Sequence, residues 1–342
     1  MAKSKLAVYP APVVIEPLLE PHKHTFILLH GRGSNGPKFG PELISHLIPW
    51  ALITLAVAGD IHPPPDEQHT TTLRDLFPYA KFIFPTAAPR RATIYKRSII
   101  HQWFDNWHLT EDPDARPDLM GEGLRASTAF IRGLVQEEAL KLGRENVILG
   151  GLSQGCATAL ITMLLEIDGE SGIGDGDKDN GSRVEIPVAG VVGMSGWLPF
   201  ARDMEDLASG RDIYDIYEDL DDPFDRSEDI DGESSAASPI TKALLHLQSE
   251  IDLASTVESS CLTQPHGLFQ DSGKSIPFFL GHGTEDERIP LYLARRMPSC
   301  LIALGAGDVE WKEYEGLGHW YSGDMLADIV RFVKDKVGWE TA

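Results

Sequence analysis

The chain has 342 residues, 42% of them hydrophobic, with 52 acidic against 30 basic side chains and a formal net charge of -22. A field of that sign repels nucleic acid and anionic membrane surfaces, so neither is an expected partner. The three cysteines, Cys156, Cys261 and Cys300, are too sparse and irregular for a disulfide framework and fit a reducing, cytoplasmic setting. No stretch is long enough to span a bilayer, and the first residues, broken by Pro10 and Pro12, lack the apolar run of a secretory signal.

Residues 1–23 are proline-rich and read as an irregular N-terminal arm; residues 24–342 read as one domain. The run from Thr25 to His30 is continuously apolar up to its histidine, as in a central parallel strand covered on both faces. It ends in a loop with Gly31, Gly33 and Gly36. A helix carrying Leu43, Ile44, Leu47 and Ile48 is expected next. Residues 62–72, with three prolines and then three threonines, read as an exposed loop. Residues 81–84 form the next strand, and tryptophan and phenylalanine cluster at 103–107 as core or pocket wall. Residues 122–142 give the clearest helical pattern. Ile131, Leu134 and Val135 lie on one face, with Glu137, Glu138 and Lys141 solvated, and Gly143 stops the helix.

The pattern then changes to a short buried strand at 146–149, a glycine-rich turn, and a helix over 157–165. The turn contains Gly151-Leu152-Ser153-Gln154-Gly155. Strand, tight turn with serine at its tip, then helix is the context in which Gly-x-Ser-x-Gly acts as a nucleophile elbow. Residues 166–187 are a Gly- and Asp-rich insertion of low complexity. A strand at 188–192 follows, and then 201–275, read as a long acidic insertion, partly disordered. Strands at 276–280 and 309–314 flank a helix around 291–304 that Pro298 is expected to interrupt or end. A last amphipathic helix uses Met325, Leu326, Ile329, Val330 and Val333. Strands alternating with helices predict an α/β fold, a mostly parallel central sheet with helices on both faces.

A serine hydroxyl needs a base to take its proton, an acid to orient that base, and donors for the developing oxyanion. In the α/β-hydrolase order the acid and then the histidine follow the nucleophile, on loops after parallel strands. His319 is the only histidine beyond the loop at 281–290, and it follows a strand directly. Glu285, Asp286 and Glu287 are adjacent candidates for the acid, and spacing does not separate them, although aspartate is the commoner choice. The oxyanion amides are expected from Gln154, after the nucleophile, and from Arg32 in the loop after the first strand. That loop lacks the patterns of a phosphate cradle. No metal or cofactor is expected. Asp175-Gly176-Asp177-Lys178-Asp179-Asn180-Gly181 misses the glycine and terminal glutamate of a calcium loop, and no histidine pair has partners at ligand spacing. Cys156 reads as a small buried packing residue.

Seven motifs occur in register. They are Leu29-His30-Gly31-Arg32-Gly33-Ser34-Asn35-Gly36, Phe84-Pro85-Thr86-Ala87-Ala88-Pro89, Trp103-Phe104-Asp105, the elbow itself, Ser195-Gly196-Trp197-Leu198-Pro199, His282-Gly283-Thr284-Glu285-Asp286 and Gly316-Leu317-Gly318-His319. Together they resemble the phospholipase/carboxylesterase family, which includes acyl-protein thioesterases and lysophospholipases. The resemblance implies Ser153 as nucleophile, Asp286 as acid, His319 as base, and Arg32 and Gln154 at the oxyanion amides. It implies hydrolysis of carboxylic esters or thioesters, with small esters, lysophospholipids or S-acylated proteins as substrates. The sequence departs from the family pattern where Arg32 and Ser34 replace the usual Leu and Asp, where Cys156 follows Gly155, and in its two insertions. A catalytically silent binding or scaffold protein, and an acyltransferase using the same residues, are the competing readings.

Overall fold

In a computed structural model the described residues are 7–56, 69–113, 115–166, 188–211, 237–251, 270–271 and 274–341. All of the insertion at 166–187 but its first residue, most of that at 201–275, and Cys261 lie outside them. Seven strands make one sheet: β1 (Val13–Ile15), β2 (His24–Leu29), β3 (Ala80–Phe84), β4 (Val147–Leu152), β5 (Gly190–Met194), β6 (Pro277–Gly283) and β7 (Asp308–Tyr314), in the order β1-β3-β2-β4-β5-β6-β7. All pairings are parallel except β1 with β3. The expected mostly parallel sheet is therefore present. The arm read as irregular contributes its edge strand, through Val13, Val14 and Ile15 pairing with Phe84, Ile83 and Phe82.

Strand residues alternate between two cores because successive side chains point to opposite faces. Ile27, Leu29, Leu149, Val191, Phe278 and Leu280 enter one core, with α2 (Gly121–Leu142), α3 (Gln154–Glu166), α4 (Ala201–Ala208), α5 (Pro239–Glu250) and α6 (Leu291–Ala303). Phe26, Leu28, Phe82, Ile148, Val192 and Phe279 enter the other, with α1 (Gly36–Ile44) and α7 (Gly323–Phe332). Burial on both faces explains why the strands read as unbroken apolar runs. The helix α3 is buried all round, as its uniformly apolar sequence requires.

Several expectations change. Helix α1 ends at Ile44; Leu47 is exposed, and Ile48 pairs with Thr71 in a short antiparallel ladder that crosses the expected loop at 62–72. Pro49, next in sequence, closes the helical option for the residue before it. Helix α6 runs through Pro298 to Ala303. The lost hydrogen bond is outweighed by burial of Leu293, Ala294, Met297, Cys300 and Leu301 along one face. The acidic insertion contains two packed helices, α4 and α5, which bury Met204, Leu207, Leu244 and Leu247.

Glu138 is not solvated. Its side chain, 4% exposed, accepts from Thr25 Oγ1 at 2.9 Å, Lys81 Nζ at 3.2 Å and Lys141 Nζ at 2.8 Å, tying α2 to β2 and β3. Burial pushes the Glu138 carboxyl up, but the hydrogen bonds from Lys141 and Thr25 and the Lys81 charge outweigh it and leave it depressed. A depressed carboxyl contributes stability that is full above the ordinary value of 4.5 and is lost as pH falls below it. Glu138→Ala, leaving Lys81 without its partner, is expected to cost about 3 kcal/mol at pH 7 in urea unfolding, and less as the pH is lowered.

Candidate active site

After the edge strand β1, the chain lays down β2, adds β3 on one side of it and then β4 on the other. The carboxyl ends of β2 and β4 therefore meet at a topological switch point, where α/β sheets open a crevice. The loop after β2 and the turn after β4 face each other there. A Cβ built on Gly31 would lie 3.3 Å from Ser153 Cβ and 3.8 Å from its Oγ, so the two backbones are in contact.

Ser153 sits between β4 and α3 with φ 58°, a left-handed conformation that a non-glycine residue adopts at a cost. Its amide is held by Met194 O at 2.8 Å, and Ala157 N–H returns to its carbonyl at 3.1 Å to start α3. The turn admits only glycine on either side. A Cβ at Gly155 would stand 2.3 Å from Leu29 O, and one at Gly151 would stand 2.8 Å from the same oxygen.

His319 follows β7. Its Nε2 lies 2.9 Å from Ser153 Oγ and its Nδ1 2.7 Å from Asp286 Oδ2. Nδ1–H donates to the carboxylate, which leaves Nε2 as the acceptor for the hydroxyl proton. Asp286 Oδ1 accepts the amides of Arg288 and Ile289, both at 2.9 Å. Burial pushes the Asp286 carboxyl up, but the His319 hydrogen bond and charge and these two amides hold it below the usual range. It is ionised at neutral pH, as an orienting acid must be. Of the three adjacent acids, Asp286 alone makes this contact; Glu287 is exposed. Arg32 and Gln154 border the same pocket of about 390 Å³ as Ser153 and His319. Gln154 opens α3, where a helix leaves its first amides without an intrahelical acceptor.

Other side chains organise the site without a signal in spacing. The Gln154 side chain spans the crevice: Oε1 accepts Trp103 N at 2.9 Å, and Nε2 donates to Phe104 O at 2.7 Å and Asn106 Oδ1 at 3.2 Å. The same Asn106 Oδ1 accepts Arg32 Nη1 at 3.1 Å. Trp103 Nε1 donates to His30 O at 2.8 Å. His30 Nδ1–H donates to Gly31 O, its Nε2 accepts Ala87 N, and burial lowers it to about 4, so it is a neutral brace for the loop. Ser195, with φ 44°, donates from Oγ to Trp320 O at 2.8 Å and pins the loop bearing His319. His282 is fully buried, with Nε2 3.0 Å from Ile289 O and 3.3 Å from Asp286 Oδ2. It approaches the same carboxylate oxygen, Asp286 Oδ2, that His319 Nδ1 contacts. His282 and Ser195 lie inside motifs visible in the sequence, but nothing in their spacing marks these contacts. Cys156, wholly buried with its thiol pushed up to about 12 by desolvation, packs as expected. Among the described residues there is no cluster able to hold a metal ion, and no helix is long and apolar enough to cross a membrane.

The family model for phospholipase/carboxylesterase matches residues 66–173 and 240–337. The chain is similar to acyl-protein thioesterase 1 of Kluyveromyces lactis, 36% identical over 261 residues, covering 75% of this chain and 78% of that protein. It is also similar to acyl-protein thioesterase 1 of Yarrowia lipolytica, 21% identical over 330 residues, or 96% and 98% of the two chains. The crystal structure of Zea mays acyl-protein thioesterase 2 superposes with a TM-score of 0.57 at 23% identity, over 96% of this chain and all of that one. Arabidopsis thaliana SOBER1 gives 0.52 at 18% identity, over 92% and 99%. The sheet, its helices and these likenesses make the fold that of the α/β-hydrolases.

Gln154→Ala strips two buried backbone groups of their partners, Trp103 N–H and Phe104 O. It is expected to lower stability by about 3 kcal/mol in urea unfolding. Labelling of Ser153 by a fluorophosphonate is expected to slow but persist, because the serine and its histidine remain.

Proposed function

From the premise that this chain belongs to the phospholipase/carboxylesterase family and is a carboxylic ester or thioester hydrolase, we propose that it works through an acyl-enzyme on Ser153. His319 Nε2 takes the Ser153 proton as Oγ attacks the carbonyl carbon. The imidazolium so formed is held by ionised Asp286. Negative charge on the carbonyl oxygen is met by the amides of Arg32 and Gln154, which need no reorganisation at the moment of reaction. Collapse expels the alcohol or thiol with the proton from His319. Water, deprotonated by the same nitrogen, then releases the carboxylic acid.

The observation that carries this reading is the unbroken chain Asp286 Oδ2, His319 Nδ1, His319 Nε2, Ser153 Oγ, at 2.7 and 2.9 Å, ending on a serine held at φ 58°. A filled and aligned constellation is the geometric signature of chemistry, and it favours an enzyme over a silent scaffold. The relatives named as acyl-protein thioesterases make protein S-acyl thioesters the substrate class we infer, with small carboxylic esters accepted as well. The leaving thiol or alcohol departs neutral in this scheme, since His319 supplies its proton.

A panel of nitrophenyl esters and acyl thioesters graded by chain length tests the reading. The wild type is expected to turn over members of both series. Ser153→Ala is expected to abolish turnover, and Asp286→Asn to lower kcat by about 10⁴-fold through the wrong imidazole tautomer. Equal turnover by wild type and a folded Ser153→Ala variant would refute it.

A further inference from the structure

The pocket beside Ser153 does not share the charge of the chain around it. Against 52 acidic and 30 basic residues overall, the charged side chains lining it are Arg32, Arg288 and Glu287, with His108 and His319 as its titratable imidazoles. Asp105, a carboxylate outside the pocket lining whose charge acts on Arg32, is already engaged by Thr93 through its amide at 3.0 Å and its hydroxyl.

Arg32 is half-buried and under-used. A guanidinium has five N–H donors. Among the described residues Arg32 makes one hydrogen bond, from Nη1 to the neutral Asn106 Oδ1, and lies 5.6 Å from the centroid of the Tyr95 ring. Arg288 has no ion pair among the described residues; its backbone amide donates to Asp286 Oδ1. Desolvation, and secondarily the charge of Arg288, work against the charge on Arg32. Two cations, half-buried Arg32 and exposed Arg288, thus line one pocket whose only lining carboxylate is exposed Glu287. Yet Arg32 is not a loose side chain. Asn106, which holds it, is itself held by Gln154 Nε2. A partly desolvated guanidinium fixed in place without an ion-paired carboxylate is complementary to a planar anion, which it binds through paired N–H donors.

We propose that Arg32 and Arg288 select substrates carrying a carboxylate close to the scissile ester or thioester. This deepens the reading of Ser153 as nucleophile and rests on it. The anion can sit on the acyl group or on the leaving group; both present the same chemistry to the two guanidinium groups.

The test compares kcat/KM of the full chain within matched pairs. One pair is 4-nitrophenyl hemisuccinate against 4-nitrophenyl butyrate, with the carboxylate on the acyl side. The other is 3-carboxyphenyl butyrate against phenyl butyrate, with the carboxylate on the leaving side. At low ionic strength at least one charged member is expected to be preferred about ten-fold. That preference is expected to shrink as sodium chloride is raised, which a purely steric pocket would not show. Arg288→Gln and Arg32→Leu are each expected to lower the charged-to-neutral ratio about ten-fold, read as a ratio within each variant. Preference in the first pair assigns the anion to the acyl group, and preference in the second to the leaving group. No preference in either pair, or a preference untouched by salt, overturns this inference while leaving the esterase intact. Loss of all ester turnover in the wild type, or its survival in Ser153→Ala, overturns the reading of Ser153 instead.

Discussion

The approach of the Leu29 carbonyl to the turn at Ser153 is the constraint on which the site depends. Leu29 O would stand 2.3 Å from a Cβ on Gly155 and 2.8 Å from one on Gly151. These distances leave no room for any side chain at either position. They lock the end of β2 against the start of α3, and so bring the loop bearing Arg32 up to the serine. The positive φ of Ser153 follows from the same squeeze: the chain must reverse within one residue, between a strand bonded on both edges and a helix buried on every side. The strain is local, and the sheet over-determines it through Ser153 N to Met194 O and the β4 pairings with β2 and β5.

That constraint was legible before any coordinates, because glycine at i−2 and i+2 around a serine, between a branched strand and an apolar helix, has few other uses. The parallel strands were legible for a related reason: burial on both faces leaves continuous apolar runs, and Thr25 to Leu29 and Ile276 to Leu280 are such runs. His319 was reachable by chain order alone. The choice of Asp286 over its two acidic neighbours needed a family resemblance. The structure separates the three by which carboxylate turns inward onto the amides of Arg288 and Ile289, a fact of loop geometry with no periodicity to betray it.

What stayed hidden falls into two physical kinds. Local propensity lost to tertiary packing at Pro298, where one buried face carries a helix past a residue that breaks helices elsewhere. It lost again at Leu47 and Ile48, an apolar pair that looked like another helical turn: Leu47 is exposed, and Ile48 enters a short ladder ending in Pro49. The second kind is the buried polar group. Glu138 fits a solvated helix face in the sequence, and only the fold reveals Lys81 and Thr25 facing it across the sheet. Gln154 is the sharper case. Its backbone was assigned by position, whereas its side chain, joining Trp103, Phe104 and Asn106, depends on a contact some fifty residues away.

The Gln154 side chain also connects two properties that sequence treats separately. Through Asn106 it fixes the guanidinium of Arg32, and both residues border the pocket beside Ser153. The two residues proposed to donate to the oxyanion, and the cation proposed to meet a fixed anion, are thus joined by one hydrogen-bonded unit. The net charge of -22 does not cancel that cation, because exposed charges more than about 8 Å away are largely screened at physiological ionic strength, and partly buried ones nearby are not. The chain can therefore be strongly anionic on its surface and locally cationic where its serine stands. The surface sets how the protein meets other macromolecules; the proposed selection among substrates rests on the few ångströms around Arg32.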